Sequence, residues 1–387
     1  MQRQAEIDLI KEILTYEENK STDMQSECSS INVDCYTRED QFSKEEQLFK
    51  DMPIIVGHSS QLQEAGDYFT REICKVPLIV LRQKDGSLKA FINVCKHRGG
   101  RLTREASGKG LRSLVCQYHA WTYETNGNLR GIPHRDGFSN MPDGCKSLTE
   151  LPLTERFGFI WLRLSPITAE DKDDGFEAEL DKLLGDSIIQ DLEDYQLDSH
   201  VVFDPKDFHR PINWKLAVDT FMENYHVKKT HKETIDFMFL DTVGSYKKFG
   251  LQQRNLYPKK TITNLRDKDE SEWHVREHGN FLYLLFPNTL LLVEPDHINV
   301  SIVYPDGIGH TQLINFTLLP EAPNEKGIAY FRKNNEILYR ALEEDFSMAS
   351  DVQQGLYSGA CQEFLHGRFE QGLRYFHDNI EQVLKAQ

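Results

Sequence analysis

The stretch CKHRGGRLTREASGKGLRSLVCQYHAW, residues 95–121, restricts this chain more than any other part of it. It holds Cys95-x-His97 and, after eighteen intervening residues, Cys116-x-x-His119. Two ligand pairs on two loops, each with a spacer of one or two residues, let both members of a pair reach one metal centre. Whatever fold forms here has to be built around that centre.

The texture around these loops is β-type. From Met52 to about Leu164, short runs (PLIVLR, KAFINVC, SLVCQYH, FGFIWLRL) alternate with turns such as KDGS and TNGN, which predicts a small all-β domain. Residues before it are polar and acidic, with one amphipathic helix near the start, and read as a surface arm or a partly mobile one. TAEDKDDGFEAELDKLLGD reads as a helical, charged connector. Beyond it NWKLAVDTFMENYHV is helical in period, NFLYLLF, TLLLVE, INVSIVY and TQLINFTLL read as consecutive antiparallel strands, and the chain is mostly helical from about Lys333. The expected architecture is α+β: an arm over residues 1–45, an all-β domain over 46–165, and a domain over 166–387 with an antiparallel sheet flanked by helices.

Bulk properties exclude several classes. The formal net charge of −16 repels nucleic acid and acidic membrane surfaces. The N-terminus lacks the apolar centre of a signal peptide, and the most apolar stretch, FLYLLFPNTLLLV, is too short to span a bilayer. Seven scattered cysteines, an odd number, argue against a disulfide framework and for a reducing compartment, the cytoplasm. Cys28, Cys35, Cys74, Cys145 and Cys361 form no second ligand set.

A Cys₂His₂ set suits a structural Zn²⁺ with tetrahedral closure. It equally suits a Rieske [2Fe–2S] cluster, in which two histidines replace two cysteines on one iron. Zinc fingers usually segregate a cysteine pair from a histidine pair, whereas here each loop supplies one of each, as a centre with unlike ends requires. CKHRGG and CQYHAW resemble the two cluster loops of Rieske proteins. Gln117 departs from the proline common after the second cysteine, which bears on loop stiffness or redox tuning rather than on ligation.

A second constellation follows in NWKLAVDTFMENYHVKKTH, residues 213–231. On a helix, Asp219, Glu223 and His226 share one face, while His231 needs a break or π-bulge near Lys228–Lys229 to join them. Two histidines with a remote carboxylate make the facial triad of non-haem iron oxygenases. The segment closely resembles the mononuclear-iron motif of Rieske oxygenase α subunits. That resemblance makes His226 and His231 iron ligands and Asp345, in EEDFSMASDVQQGLYS, the third, with Glu344 and Asp351 as fallbacks. It puts Glu223 in the position that bridges a ligand histidine to a cluster histidine of the neighbouring subunit, and Asp219 beside it as an orienting group. Glu rather than Asp at the bridge occurs among family members acting on quaternary amines such as carnitine.

The resemblance further implies a helix-grip-like catalytic domain and a head-to-tail homotrimer. It implies a terminal oxygenase taking NAD(P)H-derived electrons from a separate reductase, with or without a ferredoxin, and inserting oxygen from O₂ into a small substrate, with monooxygenation favoured. The chain carries no Gly-rich dinucleotide fingerprint of its own. Phe237, Phe239, Tyr246 and Phe249 are the expected pocket aromatics, and LRDKDESEWHVREHG an outer charged loop. Two other readings stand beside this one: an electron-transfer Rieske protein whose C-terminal domain binds no iron, and a zinc-stabilised interaction protein.

Overall fold

The computed structural model describes residues 1–168, 171 and 175–386. They divide into two compact units, Phe49–Lys182 and Met1–Leu48 with Leu183–Gln387. Part of the predicted connector, Ala169–Glu170 and Lys172–Asp174, lies outside the described residues; Gly175–Leu184 is helical.

The first unit is all β. Val76–Arg82 is its central strand, paired antiparallel with Tyr68–Ile73 on one side and Leu88–Ile92 on the other. Leu78, Ile79, Val80 and Leu81 are all buried, so both faces of that strand are covered. Two further three-stranded sheets complete the unit, and the smaller one (Leu114–Val115, Thr122–Tyr123, Leu129–Gly131) carries the second Cys/His loop. The turn TNGN needs its glycine: Gly127 has φ +87°, and a Cβ there would meet the Phe91 ring at 2.5 Å.

The second unit is built on a seven-stranded antiparallel sheet: β1 (Val201–Arg210), β2 (Ser245–Phe249), β3 (Gln252–Pro258), β4 (Gly279–Leu285), β5 (Thr289–Val293), β6 (Ile298–Pro305) and β7 (Thr311–Leu319). β2 to β7 form a meander, and β1 returns to lie beside β7. The predicted run of strands, β4 to β7, is therefore present, with three more: β1 beside β7, and β3 then β2 beyond β4. The stretch read as an outer charged loop instead forms short helical turns and buries Trp273.

Residues 1–45, expected as an arm, are folded into this second unit, which takes in the chain up to Leu48. Helix α1 (Arg3–Glu18) buries Ile7, Ile10, Ile13 and Leu14 along one stripe. Ser29–Asn32 pairs antiparallel with Glu363–His366. Glu45 is wholly buried, accepting from Lys215 Nζ at 2.7 and 2.6 Å and from Trp214 Nε1 at 2.8 Å. The Trp-Lys pair at the start of the iron motif is thus an anchor, held by a carboxylate far away in sequence.

Truncating Glu45 to alanine would leave the Lys215 ammonium buried and uncompensated. The expected loss is about 3–5 kcal/mol of unfolding free energy, because the desolvation cost of the remaining charge is no longer offset. A urea titration followed by circular dichroism measures it; a loss within about 0.5 kcal/mol, the size of an ordinary surface change, would show that the pair does not anchor the segment.

Candidate metal centres

In the β unit, the two Cys/His loops are closed by short backbone bonds. Cys95 N–H donates to Gly100 O at 2.8 Å, and Cys116 N–H to Trp121 O at 2.9 Å. Gly100 lies where the loops meet, since a Cβ there would stand 3.3 Å from Cys116 Sγ. Both cysteines are buried in the unit's core cluster, while His97 and His119 are half-buried. The two imidazoles turn the same atom toward one point, with Nδ1 to Nδ1 3.1 Å. Trp121 stacks on His97 at 4.8 Å and 5° and fixes the ring plane.

Tyr123 accepts the Lys96 N–H at 3.0 Å, which turns its own hydroxyl proton toward Cys95 Sγ, 3.3 Å away. Burial pushes the Cys95 thiol pKa up, against that hydrogen bond. Metal ligation there would remove the proton and place thiolate charge where a donor already waits. The result has unlike ends, buried sulfurs and accessible imidazoles, which suits [2Fe–2S] ligation better than a closed tetrahedral zinc site.

In the second unit, the predicted helix over residues 213–227 is much shorter. Asn213 caps helix α2 (Trp214–Asp219), its side chain accepting the Lys215 N–H at 2.9 Å. The chain leaves the helix through tighter turns, Phe221 N–H to Val218 O and Met222 N–H to Asp219 O. Beyond them the Glu223 carboxylate accepts the N–H groups of Tyr225 and His226, so the helix does not resume there. His226 then opens, and His231 closes, the one-turn helix α3 (Val227–Thr230). The break therefore lies before His226 rather than at Lys228–Lys229.

This geometry brings three donors together. His226 Nε2 and His231 Nε2 are 3.2 Å apart, and Asp345 Oδ1 lies 3.4 and 3.0 Å from them. Metal–ligand bonds of about 2.1 Å at near-right angles space neighbouring donors by about 3 Å, so this set fits three facial positions on one ion. Each histidine turns its other nitrogen to a carboxylate: His226 Nδ1 to Glu223 Oε1, and His231 Nδ1 to Glu344 Oε2 at 2.8 Å. Thr234 Oγ1 donates to the same Glu344 oxygen at 2.7 Å. With Nδ1–H donated away, the Nε2 lone pairs point inward.

Burial and neighbouring charge pull in opposite directions at the triad. Burial pushes the Asp345 carboxyl pKa up, against the pull of His231 and His226. Burial also opposes charge on His226, but Glu223 and Asp345 outweigh it and raise that pKa to about 9. A divalent ion would replace the stray proton with fixed positive charge.

The remaining expected residues fall elsewhere. Glu344 holds a ligand from behind instead of joining the triad, and Asp351 is exposed. Asp219 does not touch a ligand imidazole. It accepts from Tyr36 Oη at 2.7 Å and from His377 Nε2 at 2.8 Å. Tyr36, His377 and Thr234 were not foreseen, and Glu344 was expected only as a fallback ligand rather than as the partner of His231.

Two cavities meet at the triad, and both are lined by Glu223, His226 and Asp345. One, of about 410 Å³, opens beside the exposed side chains of Met348, Val352 and Leu365. The other, of about 170 Å³, runs between β3–β5 and helix α4 (Glu325–Tyr357), with Phe221, Phe239, Tyr257, Leu282 and Leu338 along it. Of the expected aromatics only Phe239 lines it. Phe237 is exposed, Tyr246 is buried against Asn224, and Phe249 packs under Arg254.

A cluster-type Cys₂His₂ unit together with a two-histidine, one-carboxylate site beside a pocket defines a Rieske non-haem iron oxygenase. Residues 52–146 match the Rieske [2Fe-2S] domain, and residues 193–386 match the catalytic domain described as ring hydroxylating alpha subunit. The chain belongs to the ring-hydroxylating α-subunit family. It is 28% identical over 375 residues to the carnitine monooxygenase oxygenase subunit of Escherichia coli (strain K12), covering 93% of this chain and 95% of that one. The chloroplastic choline monooxygenase of Arabidopsis thaliana is 27% identical over 344 residues, 85% of this chain and 76% of that protein. The crystal structure of the quaternary ammonium Rieske monooxygenase CntA with L-carnitine superposes with TM-score 0.71 at 23% identity, covering 94% of this chain and 96% of that one. This protein is an oxygenase component with a [2Fe–2S] cluster and a mononuclear iron, supplied with electrons by a separate reductase. Among the described residues no helix is long and apolar enough to cross a membrane.

Proposed function

We propose that Cys95, His97, Cys116 and His119 hold the cluster, that His226, His231 and Asp345 hold the iron, and that the substrate is a quaternary ammonium compound. The observation that carries the iron assignment is the inward-facing triad, three donors 3.0–3.4 Å apart with a carboxylate behind each imidazole. The bound iron supplies O₂ activation; the chain supplies orientation and a dry, shaped cavity. In the net reaction one oxygen atom enters a substrate C–H bond and the other leaves as water, using two electrons from the reductase and two protons.

Three observations support the substrate class. Glu223 occupies the bridge position, as in family members acting on quaternary amines. The relatives named above act on carnitine and choline. Phe221, Phe239 and Tyr257 line the narrower cavity, where aromatic faces attract a methylated ammonium.

Electrons reach the iron from the cluster of a neighbouring copy in a cyclic homotrimer. Beside the cluster histidines Tyr118 is 61% exposed, and beside the wider cavity Leu365 is 74% and Met348 48% exposed. Two unlike apolar patches, each next to a redox site, are what a closed heterologous ring buries. None of the seven cysteines is in a disulfide, in keeping with a reducing cytoplasm.

Single-turnover assays test the reading. Protein loaded anaerobically with iron, reduced with dithionite and exposed to O₂ should convert choline or carnitine at least about tenfold more completely than benzene, a preference of about 1.4 kcal/mol. Oxidation of benzene with none of the ammonium compounds would overturn the substrate class and leave the oxygenase assignment standing.

A further inference from the structure

The narrower cavity has two unlike ends. At one end lie the triad and Glu223. The other is marked on α4, where Asn334 precedes Asp345 by about three turns, roughly 16 Å of helix axis. The turn between β5 and β6 meets the helix there, with His297 packed on Phe331 at 5.6 Å. That turn presents Glu294, and the adjacent strand presents Asn280, both to the cavity.

These two side chains have unused hydrogen-bonding capacity. Asn280 is 5% exposed, its Oδ1 is buried without a partner, and no other side-chain hydrogen bond of its amide is found among the described residues. Register explains its direction: Asn280 stands opposite Tyr257 and two residues before Leu282, so all three share the cavity face. Glu294 uses Oε1 toward Asn299 Nδ2 at 3.1 Å and His297 Nε2 at 3.3 Å. Its Oε2 has no protein partner among the described residues. His297 is itself held by Asp296 at 2.7 Å, and neither it nor Lys259 lines the cavity. Among the described residues the lining contains no lysine or arginine.

We propose that Glu294, with the amide of Asn280, is the specificity-determining end of the substrate cavity, and that it takes a hydroxyl or other hydrogen-bond donor on the substrate and rejects a carboxylate. A substrate carboxylate placed there would meet another carboxylate and find no cation facing it, while a hydroxyl can donate to Glu294 Oε2 and accept from the free amide. This selects choline-like over betaine- or carnitine-like ammonium compounds. It rests on the proposed function only in taking this cavity as the substrate site.

Calorimetric binding to the anaerobic, iron-loaded protein tests it with four probes: choline, glycine betaine, and the uncharged-head analogues tert-butylethanol and tert-butylacetate. Choline should bind at least about tenfold tighter than glycine betaine, and Glu294→Gln should shrink that ratio to about threefold or less. Equal or tighter binding of the betaine, or an unchanged ratio in the variant, would overturn the inference. The wild-type ratios stand as a test even where the variant does not fold. Should both ammonium compounds fail to bind while tert-butylethanol still binds tenfold tighter than tert-butylacetate, the substrate class fails and the role of Glu294 holds. No binding by any of the four sinks both.

Discussion

His226→Ala is expected to take one iron in three from the protein, keep the cluster spectrum intact and lower turnover by more than about a hundredfold. The reason is the separation of roles between the two units. Cys95, His97, Cys116 and His119 sit in the Phe49–Lys182 unit, whose core does not include residue 226. His226, by contrast, supplies one of three donors, and it is also what Glu223 orients. Removing a group that only supports a ligand typically costs 10–100-fold in metal affinity, so Glu344→Gln should fall in that range and His226→Ala beyond it. Iron analysis with visible spectra on both variants, beside substrate-dependent O₂ uptake, makes the comparison. Two irons per chain in both wild type and His226→Ala would mean that the triad binds nothing, and the protein would then be an electron carrier.

Part of this was legible in the sequence because the chemistry is local. The spacers inside Cys95-x-His97 and Cys116-x-x-His119 fix what each loop can reach whatever surrounds it. The strands of the large sheet were also readable, since β4 to β7 are apolar runs between recognisable turns. The iron helix was overextended because its apolar pattern continues past Asp219. What keeps it from continuing to His226 is a side chain, Glu223, taking backbone N–H groups that helical periodicity assigns to carbonyls. Asp345 could be picked out only through resemblance, since nothing local marks one acid among many.

Long-range partners left no trace. Glu45 lies in a charged stretch that reads as solvated surface, yet it is the buried counter-ion of Lys215. Tyr36 and His377, from opposite ends of the chain, meet on Asp219. The aromatic count of residues 237–249 was equally uninformative about direction, and three of the four rings expected in the pocket face elsewhere. Side chains whose role depends on a partner far along the chain need the fold before they can be assigned.

Two inactive variants should restore each other when they share a trimer. Cys116→Ser lacks the cluster and keeps the iron; His231→Ala lacks the iron and keeps the cluster. Each alone is expected to turn over at background. In a cyclic trimer containing both kinds, going round the ring meets a His231→Ala chain followed by a Cys116→Ser chain once and only once, whichever is in the majority. If each cluster feeds the next subunit's iron, every mixed trimer has one working junction and should show about one third of the wild-type rate. Co-expression with two different tags and sequential purification isolates the mixed species, and steady-state O₂ uptake reads the result. Transfer confined within a chain gives no recovery at all, because no single chain then holds both sites. Adding Glu223→Gln to the Cys116→Ser chain sharpens the reading. That carboxylate orients His226 and lies on the wider cavity. Its loss should weaken iron binding by about 10–100-fold and, in trimers saturated with added iron, still abolish the recovered rate. The same substitution on the His231→Ala chain should leave the recovered rate unchanged, since that chain contributes only its cluster.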